Sequence, residues 1–224
     1  MEKRRTDRSE VANCAVAGPG ECIGGRDIML TSPTYKVQSG PSRDRWLGSR
    51  QYRRRGANVA RKVFYSFHYD NDCWRTQQIR NIGFIDGSRP VTANAWEAVK
   101  RGGDSAVEKW IADQLVGRSC TVVLVGADTA NRKWVLHEIV ESWNAKKGIV
   151  GIRVNRLKDS SGHQSSAGAN PFDSVTVGGK PLSSVVKLYS PTSQISTEAY
   201  AAITNGISNW IEEAIEIRDN YTSR

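Results

Sequence analysis

Trp134 and Glu138 lie four residues apart in the stretch Trp134-Val135-Leu136-His137-Glu138-Ile139-Val140. An indole next to a carboxylate suits ring stacking combined with acid–base or electrostatic work. The stretch follows the apolar run Cys120-Thr121-Val122-Val123-Leu124-Val125-Gly126. It reads as a helix, in which residues i and i+4 share a face. At about 100° per residue, Val135, Leu136, Ile139, Val140 and Trp143 gather on one side. Trp134 and Glu138 fall on the other, which predicts that both stand off the core. The plain alternative is a solvated glutamate beside a surface tryptophan.

The elements that must position this pair emerge from residue 62 onward. Val63-Phe64-Tyr65-Ser66-Phe67-His68 reads as a buried strand, and Asp70 or Asp72 as the cap of a helix through Trp74, Gln78 and Ile79. Residues 83–90 read as a turn-rich connection containing Phe84-Ile85. Ser105-Ala106-Val107-Glu108 has capping-box spacing, opening a helix that buries Val107, Trp110, Ile111 and Leu115 and stops at Gly117. After the strand at 120–125 and the Glu138 helix comes another strand, at 148–154. A polar loop over about 155–182 has the length of a functional or mobile insertion. Val185–Tyr189 reads as a last strand, and Tyr200, Ile203, Ile207, Trp210, Ile211 and Ala214 define a final helix. Alternating strands and helices predict a doubly wound parallel α/β sheet with helices on both faces. Ligands of such folds bind outside the carboxyl ends of the strands. Ser66 to Asp70 and the start of the Glu138 helix lie at that edge.

Composition narrows the function classes. The 224-residue chain suits one domain plus an extension. No apolar run approaches the ~20 residues of a membrane span, and no signal-peptide core follows the charged start. A cytoplasmic protein without a membrane partner is expected. Cys14, Cys22, Cys73 and Cys120 lack metal or disulfide spacing, and three histidines offer little for zinc, so no metal is expected. The net charge of +9 is uneven: residues 1–58 hold 12 Lys+Arg against 6 Asp+Glu, and the remainder 20 against 17. The basic excess sits mostly in the leading segment, which argues against nucleic acid as the main partner. Residues 1–58 are rich in Gly, Ser, Pro and Arg and lack periodicity. They read as a disordered extension, or as sequence ahead of a true start at Val59, with the domain spanning 59–224.

As a set, Phe64-Tyr65-Ser66-Phe67-His68-Tyr69, Trp74-Arg75-x-x-Gln78-Ile79-Arg80-Asn81, Trp110-Ile111-x-x-Gln114-Leu115 and Arg132-Lys133-Trp134-Val135-x-x-Glu138-Ile139 resembles the bacterial TIR-like family that includes the signalling proteins of Thoeris antiphage defence. The resemblance covers about residues 60–215. It implies a flavodoxin-like fold, NAD as substrate rather than a bound cofactor, and cleavage of the nicotinamide–ribose bond. It also implies a cyclised ADP-ribose messenger acting on a separate effector protein. By the same resemblance Glu138 matches the catalytic glutamate and Trp134 the tryptophan one turn earlier. Ser66, Phe67 and His68 match the loop lining the nucleotide pocket. The residues alone leave His68 open between a satisfied strand-end histidine and a pocket donor. They favour cap and turn roles for Asp128 and Asp86. Homo-oligomers are compatible with the sequence. The rival readings are a non-catalytic flavodoxin-like interaction module and a nucleic-acid binder led by the basic arm.

A chain starting at Val59 is expected to melt cooperatively with undiminished stability, because a polar arm offers too little apolar burial to offset its ordering entropy. Thermal denaturation of the truncated and full chains checks this.

Overall fold

The computed structural model describes residues 35–36, 61–82, 85–87, 98–99 and 101–221. In chain order the elements are β1 (Tyr35–Lys36), β2 (Arg61–Phe67), α1 (Tyr69–Arg80), β3 (Ile85–Gly87), α2 (Asp104–Leu115), β4 (Cys120–Val125), α3 (Lys133–Asn144), β5 (Gly148–Arg153), β6 (Val175–Val177), β7 (Lys180–Pro181), β8 (Leu188–Tyr189) and α4 (Ser196–Asp219). Five strands form a parallel sheet in the order β3-β2-β4-β5-β8. Counted within the sheet this is 2-1-3-4-5, the flavodoxin-like arrangement, and the order reverses between β2 and β4.

Strand alternation sends residues to two layers. Val63, Tyr65, Cys120, Val122 and Leu124 pack with Ile79 of α1 and with Ile203, Ile207 and Ile211 of α4. On the opposite face Val123 and Val125 pack under Val135, Leu136, Ile139 and Trp143 of α3. Phe64 packs there against Val107, Ile111 and Leu115 of α2. All six residues of β4 are buried, as a central strand covered on both faces requires.

Several local expectations change. Helix α2 begins after Gly103, held at φ +80°, and Ser105 lies inside the first turn without a capping bond. Helix α1 starts after His68, so Asp70 and Asp72 sit in its first turn and complement the dipole there instead of capping it. Asp86-Gly87, read as a turn, belongs to β3 and pairs with Lys62-Val63. Its short length hid it, and its partner β2 supplies the ladder. The final strand shrinks to Leu188–Tyr189. The insertion after β5 is ordered by apolar residues embedded in its polar sequence: Phe172, Val175, Val177 and Leu182 are buried in the α3 layer. Within it β6 pairs with β7, and β1 pairs in parallel with β6 through Tyr35–Val175 and Lys36–Thr176. The rest of residues 1–58 lies outside the described residues.

Helix α1 buries a polar face: Asp72, Arg75 and Thr76 are buried beside Ile79. The buried Arg75 donates to the carbonyls of Leu157 (2.9 Å), Asn71 (2.9 Å) and His163 (3.0 Å), and to Asp72 Oδ1 (3.1 Å) and Asp159 Oδ2 (3.4 Å). One guanidinium thus ties α1 to the start of the insertion, and its planar set of five donors suits the task. Arg75→Met should cost about 3–5 kcal/mol, because it strands carbonyls and the Asp72 carboxyl in the interior. The midpoint of urea unfolding measures this.

Candidate active site

Ser66 is the last buried residue of β2 on the α2–α3 face, and it is 1% exposed. Glu138 sits on α3 above it. Ser66 Oγ donates to Glu138 Oε2 at 2.5 Å, a short hydrogen bond. Glu138 is half-buried, with one carboxyl oxygen held by Ser66. Burial pushes its pKa up to about 8, and the Ser66 hydroxyl pulls the other way by favouring the charged form.

Trp134 and Glu138 lie off the buried stripe of α3, as their spacing predicts, but both are half-buried rather than solvated. The apolar stripe of α3 faces β4 and β5, but its flank faces β2 and α2. Trp134 packs on that flank against the Phe64–Val107–Ile111–Leu115 cluster. His137 meets its ring edge-on at 5.8 Å, and the Lys133 ammonium lies over it at 4.6 Å. Lys133 also pairs with Asp104, so the first residues of α2 and α3 are held together. The indole is therefore a wall between helices rather than a free platform.

The other residues singled out from the sequence part company. Phe67 alternates to the α1–α4 layer, packing on that core with its ring 6.2 Å from Tyr69. His68 is buried at the start of α1, with Nε2 3.8 Å from Asp70 Oδ2. The structure thus brings Ser66 and Glu138 into contact, leaves Trp134 one turn away on the same helix, and turns Phe67 to the other face.

The carboxyl edge around β2 and β4 is closed by residues that the sequence did not single out. Asp128, read as a cap, makes no capping bond and instead accepts from Asn71 Nδ2 at 2.6 Å across the switch point. Gly126 has no room for a β-carbon, because the Asp72 carboxyl fills that space. Burial raises the pKa of Asp72, and the Arg75 guanidinium opposes the rise. Gly168 of the insertion lies against the carbonyls of Gly126 and Ala127, again without space for a side chain. Arg153 Nη1 donates to the Gly168 carbonyl at 2.5 Å. The glycines were the only sequence signal for this closure, and isolated glycines also mark ordinary turns. Among the described residues no cluster of His, Cys, Asp or Glu could hold a metal ion, and no helix is long and apolar enough to cross a membrane.

Residues 64–159 match the family model described as "Thoeris protein ThsB, TIR-like domain". Over 120 residues the chain is 37% identical to a protein of Bacillus cereus (strain MSX-D12) named "Putative cyclic ADP-D-ribose synthase ThsB1". That match covers 51% of this chain and 62% of the relative, less than two-thirds of the relative's own length.

The raised pKa has a stability consequence. A carboxyl at about 8 when folded and near 4.5 when unfolded holds its proton longer in the native state. Native stability therefore falls as pH rises from about 4.5 to about 8. Glu138→Gln removes this loss, so its stability relative to the unchanged protein should grow across that window by up to about 4 kcal/mol at pH 8. Urea unfolding of both proteins at pH 5 and pH 8 checks the sign.

Proposed function

We propose that this chain, whose residues 64–159 match the TIR-like domain model of the Thoeris family, cleaves NAD at the nicotinamide–ribose bond and forms a cyclic ADP-ribose-type signal. The single observation that carries the reading is the half-buried Glu138 carboxyl held against Ser66 beside the β2–β4 boundary where the strand order reverses. The name of the Bacillus relative supports the same activity class.

Loss of nicotinamide breaks the C–N bond, and its electron pair leaves with the ring nitrogen, which becomes neutral. Positive charge grows on the ribose as it does in glycoside cleavage. A preorganised carboxylate stabilises that charge, and the low polarity around it strengthens the effect. Nicotinamide leaves from a cationic ring, so no second carboxyl is needed to protonate it. A nucleophilic atom of the same ADP-ribose then attacks the anomeric carbon and releases a proton. Water must be kept out for cyclisation to outrun hydrolysis. Ser66 orients Glu138, and Trp134 closes the side toward α2. His68 and Phe67 border the edge from the end of β2.

The pKa of about 8 makes Glu138 largely protonated in the free protein at neutral pH. The cationic nicotinamide ring favours the charged carboxylate, so NAD binding is linked to proton release. The protein works in the cytoplasm, where NAD is available, and its product acts on a separate effector protein.

Purified full-length protein incubated with NAD should release nicotinamide, with kcat/KM rising toward a plateau above a pKa near 8. Glu138→Gln should lower turnover by at least about a thousandfold while the melt stays cooperative. Undiminished nicotinamide release by folded Glu138→Gln protein would sink the assignment.

A further inference from the structure

Two buried hydroxyls stand directly behind the Ser66–Glu138 contact. Thr121 on β4 and Ser142 on α3 are both fully buried, with their oxygens 2.7 Å apart. Ser142 Oγ also donates to the main-chain carbonyl of Glu138 at 2.6 Å. A carbonyl only accepts, and a serine hydroxyl carries one proton. Thr121 must therefore donate to Ser142, giving a directed chain from Thr121 through Ser142 to the Glu138 carbonyl. The surrounding layer is apolar, with Val123, Ile139, Trp143 and Ile149 in it. Valine and alanine at these two positions would fill similar space without burying hydroxyls that need partners.

Register explains what the pair does. In the β2–β4 ladder Phe64 stands beside Thr121, and Ser66 beside Val123. Ser66 is thus one two-residue step, about 6.6 Å, further along the sheet than Thr121. Glu138 precedes Ser142 by four residues, about 6 Å along a helix that runs back over the strands. The two steps match. Thr121–Ser142 and Ser66–Glu138 are two polar rungs across one helix–sheet interface, one turn apart. Apolar packing alone tolerates small sliding and rotation of a helix, whereas a short hydrogen bond does not.

We propose that Thr121 and Ser142 are positioning residues that hold the Glu138 turn in register with Ser66. The role presumes that Glu138 is the catalytic carboxylate, but the contact it controls can be read without turnover. Carboxyl-13C glutamate, assigned with Glu138→Gln, reports the titration of Glu138 in the full chain. Ser66→Ala removes a donor that favours the charged form, so it should raise the midpoint. In Thr121→Val or Ser142→Ala backgrounds the same substitution should move the midpoint by less than about half as much, because the contact is already loosened. Thr121→Ser, which restores the hydroxyl, should return the full displacement. Ile149→Ala, an apolar loss in the same layer, should lower the melting temperature and leave the displacement intact.

With NAD, Thr121→Val should lower kcat about tenfold with KM within about twofold, the signature of a contact needed only as charge develops. Equal Ser66→Ala displacements in the unchanged, Thr121→Val and Ser142→Ala proteins would overturn the proposal. So would unaltered kcat and pH profile in both hydroxyl variants while Glu138→Gln is inactive. Continued NAD turnover by Glu138→Gln would instead defeat the catalytic reading, with the carboxyl titration still deciding the positioning role.

Discussion

A carboxyl group set into a helix–sheet interface must keep its proton or find a donor, because desolvation penalises its charge. Glu138 is under that constraint, and the architecture around it is arranged accordingly. Ser66 supplies a short hydrogen bond from β2. Trp134, in the same helix, closes the side toward α2. The result is a group poised near pH 8, charged or neutral according to what stands in front of it. A solvated glutamate would lack that responsiveness. A fully apolar interface would lack the charge. A half-buried acid of raised pKa lowers native stability as the pH rises.

The same logic of buried polarity governs the edge of the sheet. Helix α1 turns a polar face inward, and Arg75 satisfies it by gathering three carbonyls and two carboxylates. That network fastens the start of the insertion, while Phe172 and Leu182 fasten its later part in the α3 layer. Between them Gly168 presses on the backbone of Gly126 and Ala127. The insertion is thereby a strap across the carboxyl edge beside β4 and β5. Covering this edge limits where a ligand can sit and where water can enter.

The parallel α/β class, the final helix and the buried strands were legible because each carries a strong pattern, helical periodicity in the one case and a continuous apolar run in the other. The α4 pattern Ile203, Ile207, Ile211, Ala214 and the all-buried β4 are examples. The family resemblance singled out Ser66 and Glu138, whose side chains the structure brings into contact. What escaped was local and non-periodic. Strand β3 spans three residues and exists through its ladder to β2. The insertion looked polar because its few buried residues are spread among many exposed ones. Helix α1 hid its inner face because that face is made of Asp72, Arg75 and Thr76, residues whose default is the surface.

Periodicity in the sequence determined which residues share a face of each element, and hence that Glu138 and Trp134 lie on one side of α3 while Ser66 and Phe67 point to opposite sides of β2. It could not determine what those faces would meet. Helical periodicity divides a surface into apolar and polar arcs, and the flank between them can be solvated or buried depending on the neighbours. The sheet order and the register of β2 on β4 brought Ser66 under Glu138 and Thr121 under Ser142. Docking of α2 covered the Trp134 flank. Those contacts join residues dozens of positions apart, and their strength comes from burial, which is a property of the assembled layers and not of any single segment.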